Sequence, residues 1–161
     1  MEIKVFEPKF NQAVIDLILN IQQKEFSIPI SLAEQPDLLD IENSYQNQGG
    51  QFWVAVDDEK KVLGCIGLVA LRENNVALKK MFVAATYRKA GLGKKLLKAF
   101  TDYCQEKQKS AIFLGTTSEF VAAQYFYQKA GFREIEQSDL PIDFPILAVD
   151  NRYYKYQIIP K

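Results

Sequence analysis

Val83-Ala84-Ala85-Thr86-Tyr87-Arg88-Lys89-Ala90-Gly91-Leu92-Gly93-Lys94 joins an apolar strand pattern, ending at Val83, to a helical pattern that opens at two glycines. Leu92, Leu96, Leu97, Phe100 and Tyr103 recur on one face, so the spacing predicts a helix from about 91 to 108. The first amides of a helix have no internal partner and point outward, which makes such a start an anion site. Glycines there let an anion approach the backbone, and Arg88, Lys89 and Lys94 add positive charge. Two other phosphate loops do not fit. GxxxxGK[ST] fails because Arg88 stands at its first glycine and Lys95 at its Ser/Thr, and GxGxxG fails because Leu96 stands at its third glycine. The bland alternative is that the glycines merely ease a tight helix start.

Upstream, Phe52–Val56, Val62–Leu71 and Val76–Val83 read as strands separated by Asp57-Asp58 and Asn74-Asn75, which suits an antiparallel meander. Before them, Phe10, Ala13, Val14, Leu17, Ile18 and Ile21 follow helical spacing and predict a helix near 10–25, broken at Phe26-Ser27-Ile28-Pro29-Ile30. A second helix is expected over about 34–47, ending before Gly49-Gly50. Downstream, Ala111–Gly115 reads as a short buried strand. Thr117 or Ser118 is expected to cap a helix that ends at Ala130, with Gly131 left-handed. Phe132–Glu136 and Arg152–Ile159 read as the last strands. No repeat, low-complexity tract or linker interrupts residues 1–161, so one mixed α/β domain is expected.

Composition narrows the chemistry. Hydrophobic residues at 48% and aromatics at 12% supply a sizeable core. No apolar stretch approaches the roughly 20 residues that span a bilayer, and Met1–Glu7 lacks the pattern of a secretory signal, so a cytoplasmic, membrane-free protein is expected. Cys65 and Cys104 are too few for a disulfide framework, lack metal-ligand spacing and fall in apolar patterns, so both read as core thiols and no metal is expected. There is no histidine, which excludes Ser-His, Cys-His and His-metal machinery. Net charge is zero but unevenly spread. Residues 1–59 hold three basic and eleven acidic side chains, and the run 79–98 holds Lys79, Lys80, Arg88, Lys89, Lys94, Lys95 and Lys98 with no acid. Taken alone, that run reads as a solvated face. The neutral total and the absence of basic-aromatic interleaving argue against a nucleic-acid partner.

Arg88-Lys89-Ala90-Gly91-Leu92-Gly93 resembles the [QR]-x-x-G-x-[GA] signature of the GNAT N-acetyltransferase superfamily. Downstream, Ala123-Gln124-Tyr125-Phe126-Tyr127-Gln128-Lys129-Ala130-Gly131-Phe132 is similar to that family's A-x-x-x-Y-x-x-x-GF block. The resemblance covers essentially the whole chain. It implies a largely antiparallel mixed sheet, splayed between its fourth and fifth strands and flanked by about four helices. It further implies that acetyl-CoA lies between the strand ending at Val83 and the strand Ala111–Gly115. Backbone groups of Met81, Phe82 and Val83 would then meet the thioester and pantetheine, and Arg88, Lys89, Ala90, Gly91, Leu92, Gly93 and Lys94 the diphosphate. The implied reaction is direct attack by an amine on the acetyl thioester, without an acyl-enzyme.

The chain departs from the family pattern in two places. Glu often stands eleven residues before the Arg/Gln of the signature, where this chain has Ala77; Asn often stands seven before the Tyr, where it has Phe120. No base is thereby identified. Glu25, Glu73 and Glu119 are candidates, as are an ordered water chain and an amine that arrives neutral. Tyr127 is the candidate general acid for the departing thiolate, since a phenol with pKa near ~10 stays protonated at neutral pH; its alternative is a core aromatic sharing a face with Phe120, Ala123 and Ala130. Tyr125 and Phe126 are expected to pack. The family resemblance places the acceptor between residues 24–42 and 138–154, which supply apolar groups with Glu25, Glu34, Asp37 and Asp40. That chemistry suits a small-molecule amine, with Lys79 and Lys80 favouring an acid-bearing acceptor if they point inward. A catalytically weak CoA-binding sensor is the rival reading, and a homodimer is left open.

Overall fold

The computed structural model describes residues 1–160. Seven strands form one sheet: β1 (Glu2–Val5), β2 (Gln51–Val56), β3 (Val62–Ala70), β4 (Val76–Val83), β5 (Ala111–Thr116), β6 (Arg133–Ile135) and β7 (Arg152–Gln157). Their order is β1-β2-β3-β4-β5-β7-β6, and every neighbouring pair is antiparallel except β4–β5. This is the mixed, largely antiparallel α/β sheet expected from the sequence. The meander β2-β3-β4 is present; β1 is an addition at its edge, where Glu2 to Val5 pair with Val56 to Trp53.

Alternation along β2 sets up a core on each face of the sheet. Trp53 and Ala55 face helix α3 (Leu92–Glu106), whose Leu92, Leu96, Leu97, Phe100 and Cys104 are buried as the helical spacing required. Phe52, Val54 and Val56 face the other side, against Phe10, Val14 and Ile18 of the first helical segment and Leu38 and Ile41 of the second. Both thiols are free and buried, and burial pushes each pKa up to about 12, so neither is a nucleophile at neutral pH.

The helices before the sheet differ from expectation. The first starts with a turn of 3-10 helix at Pro8–Phe10, continues as α1 (Asn11–Leu19) and widens to a π-turn over Asn20–Glu25. The second is not one helix but three short turns: 3-10 Pro36–Leu39, α2 (Ile41–Ser44) and 3-10 Gln46–Gln48. Pro36 can open a turn but not continue one. Asp40 breaks the run again, leaving helical geometry to accept a hydrogen bond from the Asn43 amide at 3.2 Å. The fourth helix, α4 (Val121–Lys129), begins after Phe120 with no side-chain cap, so Thr117 and Ser118 do not cap it; Ala130 and a left-handed Gly131 end it as expected.

Candidate functional site

Strands β4 and β5 pair through Val76–Ile112 and Ala77–Phe113 alone, and beyond those two pairs they part. The cause lies on β4. Three steps from Lys79 to Phe82 face two steps from Gly67 to Cys65 on β3, so β4 carries an extra residue, and Lys80 takes a left-handed φ of 56° to fit it. The strands part at this bulge, and a splay between them is what the family resemblance implied. The parting opens a cleft of about 450 Å³, lined by Met81, Phe82 and Val83 on one side and Gly115, Thr116 and α4 on the other. From Leu78 onward the β5 side of β4 has no neighbouring strand, so its backbone groups are available to an extended ligand.

The glycine loop forms the mouth of this cleft. Gly91 has φ +80°, and the side where a Cβ would stand is empty to 4 Å. Lys95 N–H already bonds to Gly91 O at 3.2 Å, leaving the amides of Leu92, Gly93 and Lys94 as the unpaired first-turn donors of α3. Gly91, Gly93, Lys89 and Lys94 all border the cleft. Arg88 does too, but its guanidinium turns back. Both terminal nitrogens donate to Glu25, with Nη2 to Oε1 at 2.7 Å; Nε donates to Val83 O at 3.0 Å, and the group stacks 5.5 Å from the Phe26 ring centroid. Glu25 is therefore engaged as a partner of Arg88. Glu73 and Glu119 lie on exposed turns outside the cleft.

Tyr127 is 5% exposed, borders the cleft, and rests against Phe126, Phe132 and Tyr154. Its ring packs in the core, and the residue also borders the cleft. Burial, with a smaller push from Asp150, holds its pKa above the usual phenol value, so the group is fully protonated at neutral pH. Phe126 packs as expected; Tyr125 is 67% exposed and does not, because it lies on the outer face of α4. Ala77 is completely buried against Ala111, Phe113 and Phe144. Phe120 makes edge-on contacts with Phe26 at 4.8 Å and Phe82 at 6.1 Å.

Beyond the bulge the cleft is charged. The basic run 79–98 is not one solvated face. Lys95 and Lys98 are exposed on α3, whereas Lys79 and Lys80 are buried and border the cleft. Desolvation lowers the pKa of each lysine, partly offset by the charges of Asp37 and Asp150. Ile28 and Phe26 from the 24–42 segment and Leu147, Val149 and Asp150 from the 138–154 segment also line the cleft. The acids of the 24–42 segment are engaged, however. Asp37 accepts from the Tyr45 hydroxyl at 2.6 Å and faces Lys80, Glu34 bonds to Ser31, and Asp40 caps α2. The Pro141–Pro145 stretch lies outside the lining, and Pro145 meets the site through its carbonyl bond to Lys79.

Asp150 is the cleft residue that sequence reasoning missed. It sits in the turn before β7 with Oδ2 buried and unpartnered, and burial raises its pKa despite the lowering effect of Lys79 and Lys80. Gly115 makes the space for it, because a Cβ there would stand 2.7 Å from Oδ2. A glycine inside an otherwise apolar strand is the signal that pointed to such a close approach.

Comparisons with known proteins agree with this geometry. The profile described as Acetyltransferase (GNAT) family matches residues 15–132. A GNAT-family acetyltransferase structure from Staphylococcus aureus Mu50 superposes with a TM-score of 0.96 at 46% identity, over 98% of this chain and 99% of that one. An acetyltransferase from Streptococcus agalactiae 2603 gives 0.91 at 34% identity, over 97% of each chain. Among curated proteins, Xenopus tropicalis "Probable N-acetyltransferase 14" is 30% identical over 76% of this chain, and human N-acetylaspartate synthetase is 34% identical over 79%. This chain spans 60% and 42% of the lengths of those two relatives.

Proposed function

The chain belongs to the GNAT acetyltransferase family, and from that premise we propose that it moves an acetyl group from acetyl-CoA to the amine of a small molecule. The observation that carries this reading is the loop Arg88–Lys94 opening onto the mouth of the β4–β5 cleft, with unpaired amides and an empty approach at Gly91.

Acetyl-CoA supplies the activated acyl carbon as a thioester. Leu92, Gly93 and Lys94 would offer amide N–H groups to its diphosphate, and Lys89 and Lys94 add charge at the mouth. Arg88 and Ala90 complete the loop, Arg88 with its guanidinium held by Glu25. The unpaired edge of Met81, Phe82 and Val83 would bond the extended arm as a missing strand does. The acceptor nitrogen forms its bond to the acyl carbon as the carbon–sulfur bond breaks, and loses a proton. In this reading Tyr127 would give a proton to the leaving sulfur and regain one from the acetylated nitrogen or solvent. No covalent acyl-enzyme is needed, and both cysteines are protonated core groups.

The rival reading, a CoA-binding module with weak catalysis, rests on Ala77: the position where the family often has Glu is sealed in the core. A thiol-release assay with acetyl-CoA against amines, amino acids, polyamines and peptides separates the two. Turnover with a small acceptor is the expected result. Tight acetyl-CoA binding without turnover across that panel would favour the sensor, and far more efficient acetylation of peptides would refute the small-molecule acceptor.

A further inference from the structure

The acceptor end of the cleft holds more charge than a simple amine requires. Side chains of successive strand residues point to opposite faces. The bulge at Lys80 breaks that alternation, and Lys79 and Lys80 both line the cleft, 9% and 7% exposed. A buried ammonium is costly unless it is paired. Lys80 has its partners, Gln35 Oε1 at 2.5 Å and Asp37 Oδ2 at 3.8 Å, and Gln35 is in turn held by Gln22. Lys79 has the Pro145 carbonyl at 3.1 Å and the Phe144 ring 5.5 Å away, and no carboxylate within ion-pair distance among the described residues. Of the three donors of an ammonium, two on Lys79 are unfilled.

Asp150 presents the opposite deficit to the same space. Its Oδ2 is buried with no donor, and Gly115 is the glycine that leaves it room. Lys79 and Asp150 are near enough for each charge to perturb the other, yet they do not form an ion pair. Lys79, with unfilled donors, and Asp150, with an unfilled acceptor, thus both line one cleft. Ile21, Ile28, Leu147 and Val149 provide apolar lining beside them.

We propose, on the basis of the acetyl-transfer reading above, that the acceptor is an amine that also bears a carboxylate, an amino-acid-like zwitterion whose carboxylate binds Lys79 and whose amine binds Asp150. Each unfilled group then gains a charge-assisted partner, and the ligand is oriented at two points with its amine beside Asp150. Asp150 and Tyr127, the candidate acid, border the same cleft. A monofunctional amine would satisfy Asp150 and leave the Lys79 ammonium buried with one bond.

The test pairs amino acids with the amines left by removing their carboxyl group: phenylalanine with phenethylamine, leucine with isopentylamine, tyrosine with tyramine. Thiol release from acetyl-CoA gives kcat/KM for each. The wild-type protein should prefer the amino acid by about 10- to 150-fold, the worth of one hydrogen bond to a charged group. Lys79→Met, which keeps the apolar stem, should bring the ratio toward one by slowing the amino acid alone. Equal or faster turnover of the decarboxylated amines by the wild-type protein overturns the proposal, and so does a Lys79→Met variant that slows both members of each pair alike. If Lys79→Met does not fold, the wild-type ratios decide. Failure of the acetyl-transfer reading would look different: no heat of acetyl-CoA binding by calorimetry and no thiol release with either class.

Discussion

Gly91→Val separates the two costs that a glycine in this loop can carry. The first is conformational. Gly91 has φ +80° and ψ 10°, a left-handed conformation that a β-branched residue adopts under strain. That strain is worth about 1–3 kcal/mol, a fall in melting temperature of roughly 2–12 °C for a chain of this length. No clash adds to it, because nothing lies within 4 Å of the position a Cβ would take. The second cost falls on the ligand. Conformational strain at residue 91 is present in the free and the bound protein, so it cancels from the dissociation constant, and what remains is the loss of close approach by the diphosphate. Losing one charge-assisted amide bond costs about 1.5–3 kcal/mol, or roughly 10- to 150-fold in Kd. Gly93→Ala is the control. Its Cβ would meet the Phe126 ring at 3.5 Å, an ordinary contact, and alanine suits a helix better than glycine by about 1 kcal/mol. Titration calorimetry with acetyl-CoA on both variants, alongside melting curves, reads the two costs apart. A folded Gly91→Val protein with acetyl-CoA affinity within twofold of wild type would refute the assignment of this loop to the diphosphate.

Tyr127→Phe keeps the ring contacts with Phe132 and Tyr154, so its melting temperature should hold, while kcat falls by about 10²–10⁴-fold if the hydroxyl is the proton donor; a kcat within twofold, measured where chemistry limits turnover, returns Tyr127 to packing alone. Asp150→Asn should raise the melting temperature at neutral pH. Burial lifts the Asp150 pKa above 3.8 in the folded state, so ionised Asp150 destabilises the fold. That cost is absent below the unfolded value near ~3.9 and complete above the raised folded one, so the gain from Asn should shrink to nothing as the pH falls to about 4. A lower melting temperature for Asp150→Asn at neutral pH would show that attraction to Lys79 and Lys80 outweighs desolvation.

What was legible in the sequence is what short-range patterns encode. The amphipathic face of α3 and the alternation in β2 each fix an element within one window, and the structure keeps them. The splay between β4 and β5 was legible through family resemblance, but its local cause was not. A bulge arises from the count of residues between two pairing points on different strands, and no window of β4 alone contains both. Strand β1 went unread for a related reason: four residues carry too little alternation to stand out, and the pairing of Val5 with Trp53 spans almost fifty positions. The expected second helix, bounded by the stop at Gly49-Gly50, is cut into short turns by Pro36 and Asp40, the two residues that punctuate it.

The candidate site divides along the same line. The glycine loop is contiguous, so its residues announce themselves together. The polar end is assembled from distant pieces: Lys79 and Lys80 from β4, Gln35 and Asp37 from the turn after the first helix, and Asp150 from the turn before β7. Viewed linearly, the two lysines belonged to a basic surface run; the bulge is what turns both inward. The same distance explains the carboxylate. Position 77, where the family often carries Glu, is enclosed by Ala111, Phe113 and Phe144, and a carboxylate there would be buried among apolar groups at high cost. The carboxylate that borders the cleft comes from residue 150, in a space made by the missing side chain of Gly115. Gly115→Ala therefore has a definite meaning: its Cβ would stand 2.7 Å from Oδ2, so Asp150 must move, and any function of that carboxylate must move with it.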